Sequence, residues 1–80
     1  MKAFILIKSR PGMEDRLAEL ILEESRVQRV FKTFGPYDLL AEIECSSTSE
    51  LEEIVSYIRK LPDVVDTITL ISAREMKSRE

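Results

Sequence analysis

Hydrophobic positions recur along this chain with two different spacings, and the alternation between them predicts its elements. Met1 to Lys8 is apolar at consecutive positions and rich in β-branched and aromatic side chains, as expected of a strand covered on both faces in the middle of a sheet. Ser9-Arg-Pro-Gly12 breaks that run. Met13, Leu17, Leu20, Ile21 and Glu24 then follow at steps of three and four, which predicts an amphipathic helix whose acids cluster at the amino end, where the helix dipole favours them.

From Ser25 to Phe34 the pattern returns to alternation, though less cleanly. Val27, Arg29, Phe31 and Thr33 are expected on one face and Gln28, Val30, Lys32 and Phe34 on the other, an edge strand with one partly wet face. A turn, Gly35-Pro-Tyr-Asp38, leads into a strand with Leu39, Ala41, Ile43 and Cys45 on one face and Leu40, Glu42 and Glu44 on the other, so a hairpin joins the two. Two overlapping capping boxes, Ser47 with Glu50 and Ser49 with Glu52, announce a second helix through Leu51, Ile54, Val55 and Ile58. Pro62 closes it by Leu61. Val64 to Ser72 is the last strand, and 73–80 a mixed-charge tail.

The order is strand, helix, strand, strand, helix, strand: two βαβ halves joined by the Gly35 hairpin. Right-handed crossovers place the first and third strands centrally, giving a ferredoxin-like α+β domain with a four-stranded antiparallel sheet and both helices on one face. The other sheet face is then bare, although the first and last strands send apolar groups to it. A dimer packed sheet against sheet, as in dimeric α/β barrels, would cover that patch.

Composition narrows the chemistry. Eighty residues suffice for one small domain. The apolar run near the start is too short to span a bilayer and has no signal-peptide cleavage region, which points to a cytoplasmic protein without a membrane partner. One cysteine and no histidine argue against disulfides, a metal site and thiol catalysis alike. A net charge of -3 with interspersed bases gives no stripe for nucleic acid. The glycine-poor loop before the first helix is a weak phosphate cradle, and Phe4 alone does not make an RNA-stacking sheet. The absence of Asn beside abundant Glu, Lys and Arg is the balance seen in proteins from hot-living organisms.

The turn admits two readings. Gly35 supplies positive φ and Pro36 fixes the next φ, so a hairpin needs nothing more. The same loop also exposes backbone donors, a flat hydroxyl-bearing wall in Tyr37 and a carboxylate in Asp38, a set suited to a zwitterion. Thr67 and Thr69 lie two apart on the last strand, so their hydroxyls project in one direction.

Taken in order, Gly35-Pro-Tyr-Asp38, Leu61-Pro62-Asp-Val64 and Asp66-Thr67-Ile-Thr69 closely resemble the ligand-binding domain of Lrp/AsnC-type transcriptional regulators, also called the RAM domain. The resemblance runs over nearly the whole chain. It implies a cofactor-free, non-enzymatic module that binds an amino acid or similar small effector and forms a homodimer assembling to an octamer or similar ring. Carried over by residue, Gly35, Tyr37 and Asp38 belong to the effector loop, and Thr67 and Thr69 to a nearby strand. The sequence departs from the family pattern at Pro36, at Leu39, where an aromatic is common, and at Asp63, where glycine is frequent. The first strand begins at Met1, so the resemblance is expected to be to a stand-alone copy without the family's helix-turn-helix domain, which admits co-assembly with a full-length regulator. The second reading is a small cofactor-free enzyme of the dimeric α/β-barrel type; the third is a purely structural dimer.

Overall fold

A computed structural model describes residues 1–80. The elements are β1 (Lys2–Ser9), α1 (Glu14–Leu22), β2 (Val27–Lys32), β3 (Leu39–Glu44), α2 (Thr48–Arg59) and β4 (Val64–Ile71). The sheet order is β2-β3-β1-β4 with every neighbouring pair antiparallel, so β1 and β3 are central and the fold is the ferredoxin-like one expected.

Alternation along β1 decides where the core lies. Ala3, Ile5 and Ile7 are fully buried, as are Ala41 and Ile43 of the paired β3. Leu17 and Ile21 of α1 and Leu51, Ile54 and Ile58 of α2 close over the same face and form one cluster with them. Each helix contributes its stripe at three- and four-residue spacing, so burial rather than propensity holds these short helices.

The helix ends follow local chemistry. Ser47 caps α2, its hydroxyl accepting from the Glu50 N–H at 3.2 Å, so of the two expected caps the first is the one used. At the far end α2 stops at Arg59, ahead of Pro62, and the chain turns through Asp63 at φ +72°. A non-glycine residue held there costs about 1 kcal/mol, less for Asp than for most side chains. The Asp63 carbonyl accepts from the Arg10 N–H at 2.9 Å, which ties the α2–β4 turn to the end of β1.

The phase of β2 differs from the alternation read in the sequence. Val27 pairs with Ile43 and Arg29 with Glu42, so Gln28 is an extra residue in a β-bulge. Beyond the bulge the faces exchange: Val30, opposite Ala41, packs on the core beside Val27, while Phe31 turns outward and is 46% exposed. The strand also ends at Lys32, leaving Thr33 and Phe34 in the loop.

On the helix-free face Phe4 and Leu6 sit opposite Leu70 and Ile68 of β4, and Leu40 opposite Phe31. Leu70 is 50% and Ile68 40% exposed. One corner of this face is polar, with Glu42 lying 3.6 Å from both Lys2 and Arg29.

A charge cluster fastens the α1–β2 turn to the start of α2. The Arg26 guanidinium bonds Glu24 at 2.8 and 3.1 Å and Glu53 at 2.9 Å, with Glu50 at 3.6 Å. The paired guanidinium holds the Glu24 carboxyl below its usual range. A carboxylate with a depressed folded-state pKa stabilises the fold fully above its unfolded value, about 4.3, and that contribution disappears as the pH falls through the lower folded value. Glu24→Gln is therefore expected to lower the urea midpoint at pH 6, with the gap to the parent protein closing as the pH approaches 3. Urea unfolding at a series of pH values reads this directly.

Candidate functional site

The turn between β2 and β3 is built on the end of β1. The Asp38 N–H donates to the Ile7 carbonyl at 2.9 Å, which carries the β3–β1 pairing one residue into the loop. Its carboxylate Oδ2 accepts from the Ser9 N–H at 2.8 Å. Asp38 therefore holds the strand end at the point where β1 and β4 change register, opposite the extra residue Val65. Ser9, itself buried, directs its hydroxyl to the Arg10 carbonyl at 2.7 Å.

The loop closes on itself as well. The Thr33 N–H donates to the Asp38 carbonyl at 2.9 Å, and the Thr33 hydroxyl to the Tyr37 carbonyl at 2.7 Å. Between those ties Gly35 has φ +134°, a region that L side chains rarely adopt. Open space surrounds its α-carbon, so backbone conformation rather than crowding requires glycine here. The N–H groups of Phe34, Gly35 and Tyr37 have no acceptor within the chain, and the loop is exposed at Phe34–Pro36. Unpaired N–H donors and a half-buried carboxylate in one loop suit the two opposite charges of a zwitterion.

Tyr37 reaches past the end of β1. Its hydroxyl donates to Asp66 Oδ2 on β4 at 3.2 Å. Partial burial, and secondarily this bond to the Asp66 carboxylate, raise the Tyr37 pKa above the ordinary phenol value. Asp66 thus joins the loop, a partner that the sequence reading quoted within a motif but did not single out. The available signal was an acid interrupting an otherwise apolar and β-branched strand.

The threonine pair lies elsewhere. Thr67 pairs with Ile7 and Thr69 with Ile5, so both point to the helix-covered side, opposite to Asp66. Neither hydroxyl bonds to the loop. Thr67 lines a small depression with Arg59, whereas Thr69 opens into a groove of ≈ 570 Å³ between α2 and β4. Within one chain, then, Gly35, Tyr37 and Asp38 form one cluster and Thr67 and Thr69 another.

The arrangement coincides with a known domain. The family model described as the Lrp/AsnC ligand binding domain matches residues 2–80. The chain belongs to the Lrp/AsnC family. Among its curated relatives, the HTH-type transcriptional regulator FL11 of Pyrococcus abyssi is 31% identical over 77 residues, which is 96% of this chain and 51% of the relative. FL11 of Pyrococcus horikoshii is 30% identical over the same share of each. The chain thus spans about half the length of these regulators.

Solved structures give the same fold. TTHA0845 from Thermus thermophilus superposes with a TM-score of 0.90 at 35% identity, covering 96% of this chain and 98% of that one. The Escherichia coli AsnC structure gives 0.88 at 20% identity, covering 99% of this chain and 54% of that one. A feast or famine regulatory protein from Mycobacterium tuberculosis, complexed with L-methionine, gives 0.81 at 20% identity, with 98% and 53% covered. The Pyrococcus and Thermus sources agree with the amide-poor, charge-rich composition of this Lrp/AsnC domain.

The Tyr37–Asp66 contact can be read in solution. In a Tyr57→Phe background Tyr37 is the one remaining phenol, and its ionisation by ultraviolet absorbance is expected above pH 10, the ordinary value. Adding Asp66→Asn should move it down towards that value. An unchanged titration would mean that the two groups do not meet.

Proposed function

We propose that this domain binds a small amino acid at the Gly35–Asp38 loop and acts as an effector-responsive assembly module in transcriptional regulation. The observation that carries the reading is the loop itself: the N–H groups of Phe34, Gly35 and Tyr37 have no acceptor in the chain, and the same exposed loop carries the Asp38 carboxylate. Backbone donors take the ligand carboxylate, and Asp38, whose second oxygen has no bond to the chain, takes the ammonium. Family membership supports the reading, as does the L-methionine with which the mycobacterial neighbour is complexed. The Thr67 and Thr69 hydroxyls contribute from another copy, since their own chain turns them to the helix side. Curated relatives named as transcriptional regulators favour a regulatory role over an enzymatic one, and co-assembly with a full-length regulator is the route by which effector binding reaches DNA.

Binding and assembly are linked in this proposal. The helix-free face, with Phe4, Leu6, Ile68 and Leu70 at least partly exposed, packs against its counterpart in a homodimer, and dimers assemble further into a ring. A ligand gripped by two dimers then favours the larger species by its differential affinity.

A thermal-shift panel of the twenty amino acids, with light scattering for particle size, tests the effector site. At least one amino acid should raise the melting temperature or change the assembly. Asp38→Asn, which keeps an acceptor for the Ser9 N–H, should remove that response while the protein stays folded. No response from any amino acid would reject the effector reading.

The dimer has its own test. Ile68 is 40% exposed in the single chain, so Ile68→Lys leaves the core untouched. It should convert the dimer to monomer in light scattering. A dimer that survives the substitution would place the contact on another surface.

A further inference from the structure

The hydrogen bonds of the β2–β3 loop fall into two sets. Those of Thr33 and Asp38 run within the loop or to β1, at Ile7 and Ser9. A single bond reaches β4, from the Tyr37 hydroxyl to Asp66 Oδ2. At 3.2 Å it is the longest that the loop makes, and Asp66 is exposed, so water competes for the acceptor.

Asp66 belongs to the helix-free face. It lies in line with Ile68 and Leu70, and across the β1–β4 ladder it stands opposite Lys8. The other charged side chains of that face are engaged within the chain, Glu42 with Lys2 and Arg29, and Glu44 with the Met1 ammonium. Lys8 and Asp66 form no ion pair. Side chains directly opposite on neighbouring strands are within reach of each other, but such a pair gains little while both groups are hydrated. Covered by a second copy, the same two charges lose their water, and their attraction grows as the effective dielectric constant falls.

We propose that Asp66 is a positioning residue through which dimer formation fixes Tyr37 in the β2–β3 loop. When the helix-free faces of two copies meet, Lys8 binds one oxygen of Asp66 and the other, Oδ2, keeps the Tyr37 hydroxyl. Tyr37 is then held by a charge-assisted bond from which water is excluded. With the face open, Asp66 and Lys8 are hydrated and the ring is secured chiefly through its backbone. One side chain carries the whole effect, because no other hydrogen bond joins the loop to β4. A loop completed in this way offers its aromatic wall to an effector only in the assembled protein. The coupling rests on the homodimer proposed above and needs no amino acid.

The test uses the full chain without any ligand. The sequence has two tyrosines and no tryptophan, so Tyr57→Phe leaves Tyr37 as the sole tyrosine emitter. A carboxylate that accepts from a phenol quenches its emission. In that background, emission per tyrosine and light scattering are followed together at neutral pH, over a dilution series and in Leu70→Lys, a change at a 50% exposed position further along the same face. Quenching should be deepest in the dimer and partly lost in the monomer, with emission and dissociation sharing one midpoint. Asp66→Asn should remove the dependence of emission on concentration while scattering still reads a dimer, and Lys8→Met should reduce it; circular dichroism verifies that each variant is folded. Emission that ignores dissociation, or that follows it equally in Asp66→Asn, overturns the proposal. A Leu70→Lys protein that stays dimeric overturns it by moving the contact to another face. Light scattering alone reports that outcome, and neither result bears on amino-acid binding.

Discussion

Everything in this domain is arranged around one strand that has partners on three sides. The backbone of β1 pairs with β3 along one edge and β4 along the other, and its Ala3, Ile5 and Ile7 stripe is fully covered by both helices. A strand so placed has no freedom to slip, because a one-residue shift would carry the whole stripe to the other face. The β2–β3 loop inherits this rigidity. It hangs from the Ile7 carbonyl and the Ser9 N–H, so its unpaired donors sit on a rigid scaffold although the loop itself lies at the surface.

Asp38 shows why a residue can serve two ends at once. One carboxylate oxygen closes the strand end at a register change, where an unpaired Ser9 N–H would otherwise be costly. The other oxygen has no such duty. The hairpin role and the proposed ligand role are therefore compatible, since the bond to the Ser9 N–H uses only one of the two oxygens. Removing the side chain would confuse the two roles, whereas changing only its charge separates them.

The order of elements was legible because each helix and strand shows its period over enough residues, and the Ser47 cap and Pro62 mark the bounds of α2 in the composition itself. The β2 face was not. A bulge at Gln28 leaves no trace in alternation, and within three residues it has sent Val30 inward and Phe31 outward. The loop cluster was visible through Gly35, Tyr37 and Asp38, but two of its determinants were hidden: free N–H groups belong to backbone geometry, and Asp66 becomes a partner only when β4 lies beside β1. Thr67 and Thr69 were correctly read as sharing a face, yet which face depends on a register that a single strand cannot report. Only 14 of 80 residues are buried, so much of the stabilising surface is left for contacts between chains, where a single sequence shows least.

The two bulges carry a further meaning. Both edge strands of this sheet, β2 at Gln28 and β4 at Val65, have an extra residue that breaks the regular ladder of outward-facing amides. Such an edge is hindered from zipping along its full length to an identical strand. A chain with Val64-Val65 and Ile68 to Ile71 on an open margin is rich in the residues that amyloid favours. Its irregular borders disfavour association along the strand edges.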